Sequence, residues 1–155
     1  TLWRSFTYFS GLEKAFINIP VLNKLFGGYH LVNLNLDNIH EIDVPTGAFL
    51  FTKREILDQF GGFDKDYFAY GEDIEMAFQI KKLGYKIIYY PLWRVLHLKS
   101  VSGLRKKDNN IRKKTKNYFY DSMKIFYNKH YVKDHNWLTN KLVFLAIDIK
   151  KGLNK

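Results

Sequence analysis

The densest run of chemistry-bearing residues lies between Gly61 and Asp73: Gly-Gly-Phe-Asp-Lys-Asp-Tyr-Phe-Ala-Tyr-Gly-Glu-Asp. A glycine turn and an aromatic link bring an acidic pair, Glu72-Asp73, to the start of a helical pattern. A carboxylate there can accept the free N–H groups of the first turn, a structural role that acids fill very often. It can also point outward and take a proton as a general base. The local pattern admits both. His97 is the second candidate, near the close of an apolar run. A single histidine on a strand edge is commonly structural, but beside the Asp73 helix start it could share a divalent cation or a phosphate with the carboxylate. The stretch that follows, from Lys99 through Ser102 and Gly103 to Arg105 and Lys107, is small, polar and cationic. It suits either closure over a diphosphate or a solvated linker. Gly47, inside the apolar run from Val44 to Phe51, marks a place where a ligand or another backbone comes close.

Several elements must position these residues. Thr52 and Glu55 fit a capping box, so a short helix with Ile56, Leu57 and Phe60 is expected to follow and to stop at Gly61-Gly62. A longer helix begins near Glu72, with Ile74, Ala77, Phe78 and Lys81 on one face and Gly84 as its stop. Acids in its first turn and Lys81 and Lys82 in its last match the helix dipole. Tyr85 to Tyr90, ended by Pro91, and Trp93 to Leu98 read as strands, as does the run from Val44 to Phe51. Residues 2–26 read as one or two short amphipathic helices, with Pro20 starting or breaking the second and Gly27-Gly28 ending the region. Residues 29–43 read as a loop with an edge strand. Beyond the cationic stretch, residues 111–131 read as a helix with Tyr118, Phe119, Ser122, Met123 and Phe126 on one side. Residues 138–151 read as another, with Leu138, Leu142, Val143, Leu145, Ala146 and Ile149 as its apolar members. The expected class is α/β: a small mixed sheet from residues 44–52, 85–90 and 93–98, two helices against it, and helical extensions at both ends.

Composition narrows the chemistry. The 155 residues, 46% hydrophobic and 26% charged, suit one globular domain rather than a disordered or collagen-like chain. There is no cysteine, which excludes a thiolate nucleophile, an iron–sulfur cluster and a cysteine-based zinc site. Aromatic content is high, with 13 Phe and 11 Tyr, favouring a β-containing core or an interfacial surface. The net charge of +10 is unevenly placed. Residues 1–98 hold 10 Lys+Arg against 11 Asp+Glu, a net of −1, whereas residues 99–155 hold 15 against 4, a net of +11. Such a tail can meet nucleic acid, anionic lipid or a phosphorylated ligand, or can be a solvated surface. The apolar stretch from Leu2 to Phe26 is broken by Arg4, Glu13, Lys14, Asn18 and Lys24, so it is neither a signal peptide nor a spanning helix. The run from Leu142 to Ile147 is six residues, well short of the roughly 20 that a bilayer requires. A start at Thr1 rather than Met suggests a processed or cut chain.

In order, Val44-Pro45-Thr46-Gly47-Ala48-Phe49, Lys53-Arg54-Glu55, Gly61-Gly62-Phe63-Asp64, Tyr70-Gly71-Glu72-Asp73, Gly84-Tyr85, Pro91 and His97 form a composite pattern. It resembles the second half of family-2 inverting glycosyltransferases, closest in look to rhamnosyltransferase-like and galactofuranosyltransferase-like bacterial members, over residues 42–103. The resemblance implies that Asp73, the acid ending Gly-Glu-Asp, is the catalytic base that deprotonates the acceptor hydroxyl. It implies further that Glu72 and Tyr70 help to hold the acceptor and that Thr46, Gly47 and Ala48 line the donor and acceptor pocket, Gly47 admitting the sugar to the backbone. His97 would be a metal or diphosphate ligand, and Lys99, Ser102 and Arg105 would lie along the diphosphate. Family members more often carry Ser or another small residue where Thr46 stands. An inverting transfer needs one base in line with the anomeric carbon and a cation to neutralise the departing nucleoside diphosphate, so no second catalytic acid is required.

The same resemblance implies a partial glycosyltransferase A-type fold. Its nucleotide-binding half, with an Asp-x-Asp metal motif, is expected to precede this segment, yet no Asp-x-Asp lies before Gly47. Asp64-Lys65-Asp66 belongs to the acceptor-side pattern. The chain is therefore expected to be the carboxyl-terminal portion of a transferase, inactive alone. It would comprise a helical and loop segment at 1–43, an acceptor-side catalytic core at 44–103, and a basic aromatic helical tail at 104–155. Expected partners are a nucleotide-sugar donor and a glycan or lipid-linked acceptor, with Mg or Mn as the divalent metal of the complete enzyme. The tail, with Trp137, Tyr118, Tyr127 and Tyr131 among its lysines, would dock on an anionic membrane, placing the protein on the cytoplasmic face as a peripheral component. Self-association or pairing with a separate nucleotide-binding half is a further expectation. The competing readings are a nucleic-acid-binding module at residues 99–133, where stacked aromatics and lysines would meet a single strand, and a protein–protein adaptor. Against nucleic acid stand the absence of a known binding motif and the helical spacing of the tail's aromatics, the spacing of a core.

Overall fold

A computed structural model describes residues 2–16, 18–31, 34–97 and 109–153. The chain divides into two compact units, Thr1–His40 and Glu41–Lys155.

The first unit is helical. Three short helices, α1 (Leu2–Ser10), α2 (Leu12–Phe16) and α3 (Pro20–Phe26), replace the one or two expected. Gly11 separates α1 from α2, and Pro20 opens α3 at a first-turn position that has no use for its missing N–H. The buried Glu13 ties the unit together by accepting the His30 N–H at 3.0 Å and meeting His30 Nδ1 at 3.1 Å. Tyr8 and Tyr29 stack beside it at 4.3 Å.

The second unit is mixed α/β and carries the motif residues. In order come β1 (His40–Ile42), α4 (Arg54–Asp58), α5 (Glu72–Lys82), β2 (Ile87–Tyr89), α6 (Asn109–His130), a 3-10 turn at Val132–Asp134, and α7 (Trp137–Leu153). Among the described residues the sheet is only β1 paired with β2, which corrects the larger sheet expected from residues 44–52, 85–90 and 93–98. The run from Val44 to Phe51 forms a turn instead, in which the Thr46 carbonyl accepts the Phe49 N–H at 3.5 Å. Pro45 and Gly47 favour that turn over a ladder. Residues 93–97 are irregular and exposed, because an apolar run becomes a strand only where a partner edge meets it. Leu98 lies outside the described residues.

The capping box also fails to form: Lys53, not Thr52, occupies the N-cap of α4, with no side-chain cap bond. The stop after α4 is as read. Gly61 and Gly62 both adopt left-handed backbone, at φ 83° and 79°, and both of their N–H groups return to the Leu57 carbonyl.

The small core of this unit is Met76, Ala77, Ile80 and Ile87, with Ile42, Leu50, Ile56, Leu57 and Phe60 packed around it. α5 runs through its centre, because its buried residues fall on two sides. Met76, Ala77 and Ile80 face β2 and α4, while Phe78 meets Phe126, His130 and Tyr131 of the α6 end. Ile74, grouped with the buried face in the sequence, is 36% exposed. Lys81 bonds Asp43 at 2.5 Å and lies 3.9 Å from Glu41, tying the last turn of α5 to the chain after β1.

Candidate active site

α5 begins where the Gly61–Asp73 pattern placed it. Gly71 is its N-cap, held at φ 86°, a left-handed backbone that side chains rarely adopt. Space alone would also favour glycine: a Cβ there would stand 3.1 Å from Tyr67 and 3.2 Å from Ser122 of α6. The Gly71 carbonyl accepts the Glu75 N–H at 2.8 Å and starts the helix. Glu72 and Asp73 thus leave the first turn in a fixed direction.

Asp73 is half-buried. Its Oδ2 accepts the Gly47 N–H at 3.1 Å and its Oδ1 the Ile74 N–H at 2.8 Å. Each carboxylate oxygen keeps a further lone pair. The Thr46–Phe49 turn presents the Gly47 N–H, and Thr46 Oγ1 accepts the Ala48 N–H at 3.5 Å within it. A Cβ on Gly47 would lie 3.4 Å from Asp73 Cβ, so the close neighbour at this glycine is the carboxylate side chain. Thr46, Gly47, Ala48 and Asp73, 26 residues apart at the Gly47–Asp73 bond, therefore form one cluster. Glu72 lies beside it with Oε2 buried and without a hydrogen-bond partner among the described residues, an unmet acceptor of a kind uncommon in folded proteins. Tyr70 sets its ring edge-on to Phe119 of α6 at 5.9 Å.

His97 is exposed in the irregular chain after β2 and makes no hydrogen bond or ion pair among the described residues. Among those residues no group of three or more His, Asp or Glu converges as a cation requires, so they do not by themselves fit a metal site. Lys99, Ser102 and Arg105 lie outside the described residues.

One functional arrangement was not legible in the motif. Glu75, two residues after Asp73, is almost wholly buried. Its Oε2 accepts the Tyr67 hydroxyl at 2.9 Å and meets His130 Nε2 at 2.6 Å, and its Oε1 accepts Gln79 Nε2 at 2.7 Å. Burial, with the Glu75 bond second, pushes the Tyr67 phenol well above its ordinary value. From α6, Lys129 bonds both Asp64 and Asp66, at 2.5 and 2.6 Å, and stands 5.4 Å from the Tyr67 ring centre. Hydrogen bonding from Lys129 is the main reason that the Asp64 carboxyl sits below its ordinary range. The end of α6 thereby locks the aromatic link and the start of α5. The sequence signals are Glu75 among Met76 and Ala77, and His130 closing a long helix.

The tail's aromatics behave as a core. Tyr120 and Tyr127 are buried, and the Tyr127 hydroxyl donates to Asn140 Oδ1 of α7 at 2.8 Å. Tyr127 is therefore no surface anchor, which corrects its expected place at a membrane. Trp137, by contrast, is 71% exposed.

Residues 25–118 match the model of the family described as "Glycosyltransferase like family 2". Two curated proteins, each an N-acetylglucosaminyl-diphospho-decaprenol L-rhamnosyltransferase, come from Mycobacterium tuberculosis strains CDC 1551 / Oshkosh and ATCC 25618 / H37Rv. Both are 39% identical over 57 residues, 37% of this chain. The matched stretch spans only 19% of the length of either relative. No solved structure matches the chain. With the family match covering more than half of its residues and taking in the whole Asp73 cluster, the chain belongs to the family-2 glycosyltransferases.

Proposed function

We propose that this chain is the acceptor-binding and catalytic-base part of an inverting, sugar-nucleotide-dependent glycosyltransferase. The observation that carries this reading is the Asp73 carboxylate, oriented by the Gly47 N–H at the start of α5 and keeping free lone pairs. In the proposed step, Asp73 takes the proton of an acceptor hydroxyl. The hydroxyl oxygen bonds to the anomeric carbon, the bond from that carbon to the nucleoside diphosphate breaks, and the configuration inverts. Glu72 is proposed to help hold the acceptor, and the Thr46–Ala48 turn to line the pocket. A divalent cation, Mg or Mn, would neutralise the departing diphosphate, with His97, Lys99, Ser102 and Arg105 as this chain's candidate contributions on the diphosphate side. The nucleotide-binding half is proposed to lie in sequence beyond this chain. The rhamnosyltransferase relatives suggest a rhamnosyl donor and a lipid-diphosphate-linked N-acetylglucosamine acceptor as the first pair to assay. A peripheral place on the cytoplasmic face of a membrane is proposed with it, as the position from which such an acceptor would be reached.

The test is transfer from labelled nucleotide sugars by the longer enzyme that contains this segment, as wild type and as Asp73→Asn. Loss of transfer in the variant, with its circular dichroism spectrum unchanged, supports the reading. Full transfer by the variant overturns it. The 155-residue chain alone is expected not to turn over a sugar nucleotide, and measurable transfer by it would refute the partial-enzyme reading.

A further inference from the structure

α7 has two unlike faces. Its inner face rests on α6: Ile147 is buried, Phe144 stands edge-on to Tyr127 at 5.5 Å, and Asn140 accepts the Tyr127 hydroxyl. Lys124–Asp148 and Lys151–Asp121 bonds at 2.6 and 2.7 Å bind the two helices along their length. Its outer face carries Leu138, Leu142, Leu145, Ile149 and Leu153, at the spacing that puts side chains in one stripe along a helix. These five are between 53% and 77% exposed, so the stripe has no partner within the described residues. Trp137 stands at its amino-terminal end with the Lys141 ammonium 4.7 Å from its ring centre. The helix has 17 residues, and none of the described helices is long and apolar enough to cross a membrane.

A stripe of this kind needs either a partner or an apolar boundary. Charge decides between them. Residues 99–155 carry a net of +11, from 15 Lys+Arg and 4 Asp+Glu. A second copy would bring two such segments together, whereas anionic headgroups complement them. We propose that α7 lies in the headgroup layer of an anionic membrane, stripe downward, with Trp137 at the boundary and the lysines of the basic segment above it. This deepens the peripheral placement proposed above and is read without any assay of sugar transfer.

The experiment is sedimentation of the 155-residue chain with vesicles of mixed phosphatidylglycerol and phosphatidylcholine, against phosphatidylcholine alone. Wild type is expected to sediment with the anionic vesicles, less so at high salt. Leu142→Glu/Leu145→Glu, with an unchanged circular dichroism spectrum, is expected to lose about tenfold or more in partitioning. Equal binding by that variant overturns the role of α7 while leaving an electrostatic attachment. Wild type remaining in the supernatant at low salt overturns the membrane placement altogether. Wild type ignoring vesicles but forming a dimer that the variant dissolves makes a second copy the occupant and overturns the proposal. A Trp3→Phe/Trp93→Phe chain gives an independent reading that does not depend on the charged variant folding. Trp137 fluorescence should shift to the blue with anionic vesicles, and an unmoved spectrum counts against α7.

Discussion

Asp73 and Glu75 sit in the same turn of α5, share a side-chain chemistry and differ in almost everything around it. Asp73 is half-buried and held by two backbone N–H groups, one from a distant turn. Glu75 is almost fully buried and held by three side chains, from the aromatic link, from α5 itself and from the end of α6. The carboxylate tied only by backbone donors keeps lone pairs, which suits the base role proposed for it. The one enclosed by Tyr67, Gln79 and His130 has no room for a substrate and fixes the helix that carries the other. Position within an acidic motif therefore says less about role than does the source of a carboxylate's partners.

The sharpest way to break that contrast is to neutralise each carboxylate and read rate and stability separately. Asp73→Asn keeps an oxygen for the Gly47 N–H but cannot take a proton. In the complete enzyme it should lower transfer by about a hundred- to ten-thousandfold, the usual weight of a general base. Its melting temperature should fall by only a few degrees, because one of the two N–H groups loses its acceptor, as determined by calorimetry. A collapse of stability together with activity would make Asp73 a structural acid like its neighbour.

Glu75→Ala should do the reverse. It strands the Tyr67 hydroxyl, His130 and Gln79 in a buried site, and the loss of one partner from such a network costs about 3 kcal/mol or more. Urea unfolding of the 155-residue chain measures this. Glu75→Gln, whose amide oxygen still accepts from Tyr67, should recover part of the loss. A Glu75→Ala chain as stable as wild type would mean that α6 does not lock the start of α5.

A smaller effect is expected at the hinge between the link and the helix. Gly71→Ala must hold an alanine at φ 86° with its methyl 3.1 Å from the Tyr67 ring. Left-handed strain and the tight contact together should cost about 1–3 kcal/mol, seen as a lowered urea midpoint. An unchanged midpoint would show that the turn can relax without disturbing either carboxylate.

How much of this the sequence discloses follows from how local each determinant is. α5 is legible to within a residue or so because its signals are adjacent: Gly71 before it, Glu72 and Asp73 in its first turn, Lys81 and Lys82 in its last, Gly84 after it. The Asp73 cluster is legible as a motif, although its geometry depends on Gly47, 26 residues earlier. The apolar runs at 44–51 and 93–98 mislead because strand formation depends on a partner edge, which no local window contains. Glu75 is missed for the same reason. As a first-turn acid it looks like a dipole partner, and only the arrival of His130, 55 residues later, makes it a buried anchor.

The finest test concerns Asp64, which joins the aromatic link to Lys129 and so to the Glu75 side of the comparison. Its carboxyl lies below the ordinary value of 3.8, chiefly through the Lys129 hydrogen bond and then the Asp66 N–H. A carboxyl whose value is lower in the folded chain adds stability above its unfolded value and loses it as pH falls through the folded one. The contribution should therefore be complete above a pH of about 4 and fade below it. Both groups of the pair are about 29% exposed, so solvent screening limits its weight to about 0.2–1 kcal/mol. Asp64→Asn should be less stable than wild type by that amount at neutral pH, and the gap between the two unfolding curves should close as the solution is acidified below 4. A gap that persists in acid would mean that the Lys129 pair is not its source, whereas no gap at any pH would mean that Asp64 acts through its bond to the Asp66 N–H, which an asparagine oxygen can also make, with Lys129 holding the link through Asp66 alone.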